Sequence, residues 1–329
     1  MGMLPSSGPH LHILLVHIPI LGFIVTTIWL YFAIRKNNLC HQKGCWYSMF
    51  LLFVVSIPTY ISGAASRWNV QYRDDLDVDL GLVFLHQNVA LWTILFACLV
   101  AILSWFALWR NQRKGDACGR LNWTILGLGA ITSWLAVQAG SIGGRINHPE
   151  VRTGLYDGEA ALPDNLAVAG NPGGFVDFAY NLILGGDQYW RWPAFEALHF
   201  IGMALIFGVT LIISLRVIGF AKEHVSFQAV HRLLPIGFLG LCINLDTGFL
   251  FFIGDSGRYV AMPGFPYKIV ALVIAMIVGL YFTVNKRLYA LQAGQDAALN
   301  DKYVAYLYII SWATVIFFGR QLPYIFGGG

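Results

Sequence analysis

The sequence predicts an all-α integral membrane protein: eight transmembrane helices in two four-helix units, with both termini on the outer side. Three observations carry this. Of its 329 residues, 57% are hydrophobic and 12% charged, whereas a soluble domain carries about a quarter charged residues. Eight apolar stretches reach the length of about 20 residues that a helix needs to cross a bilayer. Lysine and arginine gather in alternate connections, as cytoplasmic loops require.

The first span covers residues 11–34 and opens on LHILLVHIPI. No basic cluster precedes it and no small-residue cleavage site follows, so it is expected to serve as its own insertion signal. Further spans are expected at 46–66, 80–108, 121–143, 194–219, 230–253, 266–285 and 303–319. The connections after the first, third, fifth and seventh hold 13 of the 21 basic residues against four acids, which places both termini outside. The opposite face is acidic. Asp74, Asp75, Asp77 and Asp79 precede the third span, and six more acids lie between Glu150 and Asp187. Such a face can guide a basic soluble partner, although topology bias alone produces the same pattern.

Residues 144–193, rich in Gly, Pro, Asn and Asp, divide the chain. Three parts follow: a four-helix membrane unit with an outer histidine cluster over 1–143, an extracytoplasmic cap or docking loop over 144–193, and a second four-helix unit over 194–329. The cap reading rests on aromatics such as Phe175, Phe178 and Tyr180 that have something to bury. The five cysteines form no CxxCH, which excludes covalent c-type haem on this chain.

Depth places five of the nine histidines on one level near the outer face: His12 and His17 in the first span, His86 in the third, His148 after the fourth and His199 in the fifth. His41, His224 and His231 fall on the opposite side and read as loop or headgroup-level residues. Ionisable groups inside a membrane are costly and mark function by default. His17 and His86, at matching depth on parallel helices, are expected to grip a b-type haem between opposed imidazoles, with Gly22, Gly63, Gly81 and Gly140 making room for the ring. His12 stands five residues, or about 140°, from His17. It is therefore assigned with His148 and His199 to a rim layer that supports the haem or holds a second one. Pro19 frees a backbone carbonyl one turn earlier.

The run from His12 through His17 and Pro19 to Ile20, the lone His86 and Gly143-Gly144 followed by His148 resemble an uncharacterised family of bacterial four-helix membrane proteins, which opens on HPxxVHFPI. The likeness covers roughly residues 10–152, with Ile13 where the family has proline and Ile18 where it has phenylalanine. Such domains are often found beside cytochrome c modules, so the resemblance implies a role with haem or in electron transfer. Residues 194–290, with ALHFIGMALIFG and FPYKIVAL, resemble a second uncharacterised bacterial membrane family that adds no assigned chemistry.

In the second half, Asp246 lies within the sixth span, with Lys268 or Arg258 as the expected partner. The arrangement reads either as an ion pair locking two helices or as a quinone or proton site. No phosphate-binding glycine loop and no nucleophile beside a base is present. The expected function is therefore a haem b subunit of the bacterial inner membrane, not an enzyme alone. It would pass electrons between a cytochrome c or periplasmic redox subunit on the acidic face and the quinone pool, with no nucleic-acid partner. The alternatives are a transition-metal transporter or sensor built on the outer histidines, and a scaffold subunit without cofactor.

Overall fold

The computed structural model describes residues 8–71, 80–115, 118–147, 182 and 190–321. Among these residues the regular elements are helices: α1 (Gly8–Arg35), α2 (Leu39–Gln71), α3 (Leu80–Lys114), α4 (Gly119–Asn147), α5 (Arg191–Ile218), α6 (Phe227–His231), α7 (Leu234–Gly254), α8 (Ser256–Ala261), α9 (Phe265–Val284), α10 (Lys286–Tyr289) and α11 (Leu299–Gln321). Eight segments are long and apolar enough to cross a membrane, with α6 and α7 together making the sixth, Phe227–Gly254. The chain is an all-α multi-pass membrane protein. Helices are the natural outcome, because hydrocarbon offers no partner for a free backbone group and a helix satisfies its own. The cap expected over 144–193 lies almost entirely outside the described residues, as does His148.

The chain divides into two compact units. The first gathers α1, α2, α4 and α3 as far as Ser104, with Ile253–Gly257. The second gathers Trp105–Cys118, α5 to α7 as far as Phe252, and the chain from Arg258 onward. The boundary thus departs from the expected four-plus-four split. At 35 residues α3 is far longer than a bilayer requires, and its last turns have their partners in the second unit. There Trp105 Nε1 donates to Thr283 Oγ1 at 2.7 Å, and Trp109 Nε1 to the carbonyl of His231 at 3.1 Å.

In the first unit α1 packs on α2 and α4. Phe23, Trp46, Phe50 and Phe53 are fully buried, while Leu14, Leu21, Val25 and Phe32 face outward as a lipid-contacting stripe. A buried polar chain ties the three helices at their basic end. Trp46 Nε1 donates to Asn122 Oδ1 at 2.8 Å, Asn122 Nδ2 to Gln42 Oε1 at 2.9 Å, and Gln42 Nε2 to the Ala33 carbonyl at 3.2 Å. Every link is satisfied, so the network fixes register where an unpaired amide would be costly. The turn from α1 to α2 reverses at Asn37, whose φ of 46° lies in the left-handed region that asparagine tolerates.

In the second unit α11 packs against α5 and α9. Helices α5 and α7 meet backbone to backbone: a Cβ on Gly240 would stand 2.7 Å from the carbonyl oxygen of Gly202. Small residues at such a crossing let helices approach closely in lipid, where packing rather than hydrophobic exclusion drives association. Arg216, counted in the sequence among the residues that set topology, is buried. Its guanidinium donates to the carbonyls of Val225, Gln292 and Gln295 and so staples two connections. The buried carboxylate of Asp301 receives both oxygens' worth of hydrogen bonds from Arg287, at 2.8 Å each, and a further one from the Tyr281 hydroxyl.

Candidate functional site

The histidine end of the first unit holds the candidate site. His12, on the second turn of α1, sets its Nδ1 2.9 Å from the Thr59 carbonyl of α2. His86, near the start of α3, sets its Nδ1 2.9 Å from the Ala139 carbonyl of α4. A carbonyl only accepts, so both rings carry their proton on Nδ1 and, when neutral, present a lone pair at Nε2. Among the described residues neither Nε2 has a hydrogen-bond partner.

Both rings are seated by the same device. The residue four positions after each acceptor is a glycine, Gly63 on α2 and Gly143 on α4. A Cβ on Gly63 would stand 2.9 Å from His12 Cε1, and one on Gly143 would stand 3.1 Å from His86 Cε1. Each imidazole thus lies in a notch that only glycine leaves open. The two rings face each other edge to face, with centroids 6.2 Å apart and planes at 84°.

His17 takes no part in this pair. It is exposed on α1, and its Nδ1 turns back to the Ile13 carbonyl of its own helix at 3.1 Å. His86 was aligned in depth with His17, but the ring it meets is that of His12, five residues nearer the start of α1; the rotation of about 140° between the two positions puts His12 inside and His17 on the surface. Three of the four glycines expected to accommodate a porphyrin are filled. Gly22 leaves room for Leu52, Gly63 for His12 and Gly140 for Ile20.

His199 sits in the second unit in a related setting. Its Nδ1 lies 2.7 Å from Thr247 Oγ1 of α7, and its ring edge lies 3.6 Å from the Cβ position of Gly248. Asp246, one residue from the buried Thr247, is turned to the exposed face, and Arg258 is exposed as well. Among the described residues no ion pair joins Asp246 to Lys268 or Arg258. The Lys268 ammonium packs instead toward α11, 3.6 Å from the Cβ position of Gly319.

His231, read from the sequence as headgroup-level, is fully buried. Its Nε2 donates to the Thr283 carbonyl at 2.9 Å, and its ring lies against Trp109, Tyr289 and Phe227. Among the described residues no three His, Cys, Asp or Glu side chains come together as a metal-binding group. The detail that the sequence reading missed is the notch. Glycine at the depth of each inner histidine, on the helix that follows it, is visible in TYISG and AGSIG. Comparison with protein-family models, with curated proteins and with solved structures returns no match.

Proposed function

We propose that this protein is a b-type haem-binding membrane subunit that carries electrons between a redox protein at its histidine end and the quinone pool of a bacterial inner membrane. His12 and His86 would hold the haem iron. The observation that carries the reading is the facing pair of imidazoles, each with Nδ1–H given to a backbone carbonyl. That hydrogen bond fixes the tautomer and raises the basicity of the opposite nitrogen, as an acceptor behind a ligating histidine does. The two ring centroids stand 6.2 Å apart, near enough for both imidazoles to serve one metal ion. The haem supplies one-electron chemistry when bound; the chain supplies two neutral nitrogen donors and an apolar, helix-lined surrounding that sets its potential.

The test is a reduced-minus-oxidised absorption spectrum of the purified protein with pyridine haemochrome quantitation. The b-type bands are expected in the parent chain and in His17→Ala, and lost in His12→Ala and His86→Ala. Full haem in both of the latter would remove the ligand assignment.

A second reading has its own observation. Leu52 and Ile20 occupy the space at Gly22 and Gly140, and a bare transition-metal ion between His12 and His86 needs no room for a macrocycle. Imidazole suits copper and zinc as well as iron. Elemental analysis showing stoichiometric copper or zinc and no porphyrin selects that reading.

A further inference from the structure

Two outer surfaces of the first unit differ in kind. On α1 the exposed residues between Ile13 and Ile28 are aliphatic apart from His17, as lipid contact requires. On α4 the exposed residues Thr124, Gly127, Ile131, Trp134, Gln138 and Ser141 follow one another at spacings of three, four, three, four and three. That is the heptad seam of a helix that packs along another helix. Its composition agrees, because helix interfaces in lipid are enriched in small residues and in polar side chains that bond across the contact.

Two side chains of the seam are misplaced for lipid. The middle of α4 (Gly119–Asn147) falls at Ser133; Trp134 follows it, and Gln138 is five residues on. At 1.5 Å per residue the Gln138 backbone is about 7 Å from mid-helix, well inside a hydrocarbon half-layer of about 15 Å. Among the described residues neither the Gln138 amide nor Trp134 Nε1 has a hydrogen-bond partner, and Trp134 is 61% exposed. An amide facing hydrocarbon without a partner is costly. The Thr124 hydroxyl, by contrast, donates to the Arg120 carbonyl at 3.3 Å. At Gly127 the face is open, with nothing within 4 Å of the Cβ position.

Whatever covers this face must offer both a donor and an acceptor at the depth of Gln138. A second copy of the chain does so without adjustment. All copies insert in the same direction, so across a twofold axis normal to the membrane each seam residue meets itself at its own depth. An amide both gives and takes a hydrogen bond, so two Gln138 side chains pair reciprocally. Trp134 Nε1, one turn away and donor only, finds an acceptor in the partner's Gln138 Oε1. A single polar residue in such a seam also fixes register and the number of strands.

We infer that this face of α4 joins two copies of the chain as a parallel, twofold-symmetric helix pair within the membrane, held by reciprocal Gln138 amides. The interface goes beyond the haem reading and stands whether or not His12 and His86 hold iron.

The test is cysteine cross-linking of the full chain in nanodiscs with a short bismaleimide, after Cys40 and Cys242, the native cysteines that are not buried, are replaced by serine. Gln138→Cys and Ile131→Cys are expected to give a product of twice the chain mass, and Leu21→Cys, on the lipid face of α1, none. In detergent the parent chain is expected to be a dimer by light scattering. Gln138→Leu is expected to raise its dissociation constant about tenfold, and Gln138→Asn, which keeps the amide, to raise it less. A monomeric parent in both nanodiscs and detergent overturns the interface. So does cross-linking of Leu21→Cys as readily as of Gln138→Cys, or an unchanged dissociation constant in Gln138→Leu. A Gln138→Cys product whose mass is not twice that of the chain gives the face to a different subunit and overturns the pairing of copies.

Discussion

At the scale of single residues, the pair His12 and His86 is held by two hydrogen bonds and two absences. The bonds run from Nδ1 to the Thr59 and Ala139 carbonyls; the absences are the side chains that Gly63 and Gly143 lack. Neither acceptor can be removed by substitution, because both are backbone, but the notches can be closed. Gly63→Ala or Gly143→Ala sets a methyl about 3 Å from an imidazole carbon and forces the ring off its carbonyl, an overpacking cost of about 1–3 kcal/mol. Disturbing such an outer-shell partner typically costs about 10–100-fold in metal affinity. Both substitutions are therefore expected to lower haem occupancy by that order, measured as haem per protein after dialysis. Gly144→Ala, with nothing within 4 Å of its Cβ position, is expected to leave occupancy unchanged.

At the scale of elements, the crossing of α5 and α7 is set by Gly202 and Gly240. A Cβ on Gly240 would meet the Gly202 carbonyl and the Ile206 amide, each at 2.7 Å. These are backbone atoms and cannot swing aside, so the helices must separate along their length. Gly240→Ala is expected to destabilise the second unit by about 1–3 kcal/mol, seen as a lower Tm in detergent. Gly208→Ala, on α5 with nothing within 4 Å, is expected to be neutral there. The connections have their own anchor, in which Asp296 accepts from Lys302 at 2.9 Å and from Lys222 at 3.1 Å. Lys302, and after it Lys222, hold the Asp296 carboxyl below its ordinary value. A carboxylate with a depressed folded value contributes stability above its unfolded value, about 3.9, and loses it as pH falls through the folded one. Asp296→Asn is expected to lower Tm slightly at neutral pH and to flatten the acid limb of the Tm–pH curve below about pH 4.

At the scale of the whole molecule, the predicted orientation can be tested with the cysteines already present. Cys40, at the start of α2 beside the basic end of α1, is exposed, while Cys45, Cys98 and Cys118 are buried. If both termini lie outside, a membrane-impermeant maleimide should label Cys40 in inside-out vesicles and not in intact spheroplasts. The reverse pattern would invert the topology. Composition and apolar run length determined the fold class and the eight spans, because hydrocarbon thickness and backbone satisfaction leave a helix few alternatives. Rise per residue gathered His12, His17 and His86 toward one end of the first unit, but it aligned His86 with His17, whereas His86 meets His12. Composition and depth could not choose between His12 and His17: both lie within two turns of one helix that is apolar on every side, so no amphipathic stripe marks an inner face. Nor could they show that the polar face of α7 at Thr247 turns to His199 while Asp246 turns outward. Those choices belong to helix rotation, which packing against Gly63, Gly143 and Gly248 decides. The sequence by itself therefore determined a helical membrane protein with imidazoles at one end. Only the tertiary structure decided which imidazoles meet, because a partner's missing side chain acts across helices and leaves no periodic signal along either one.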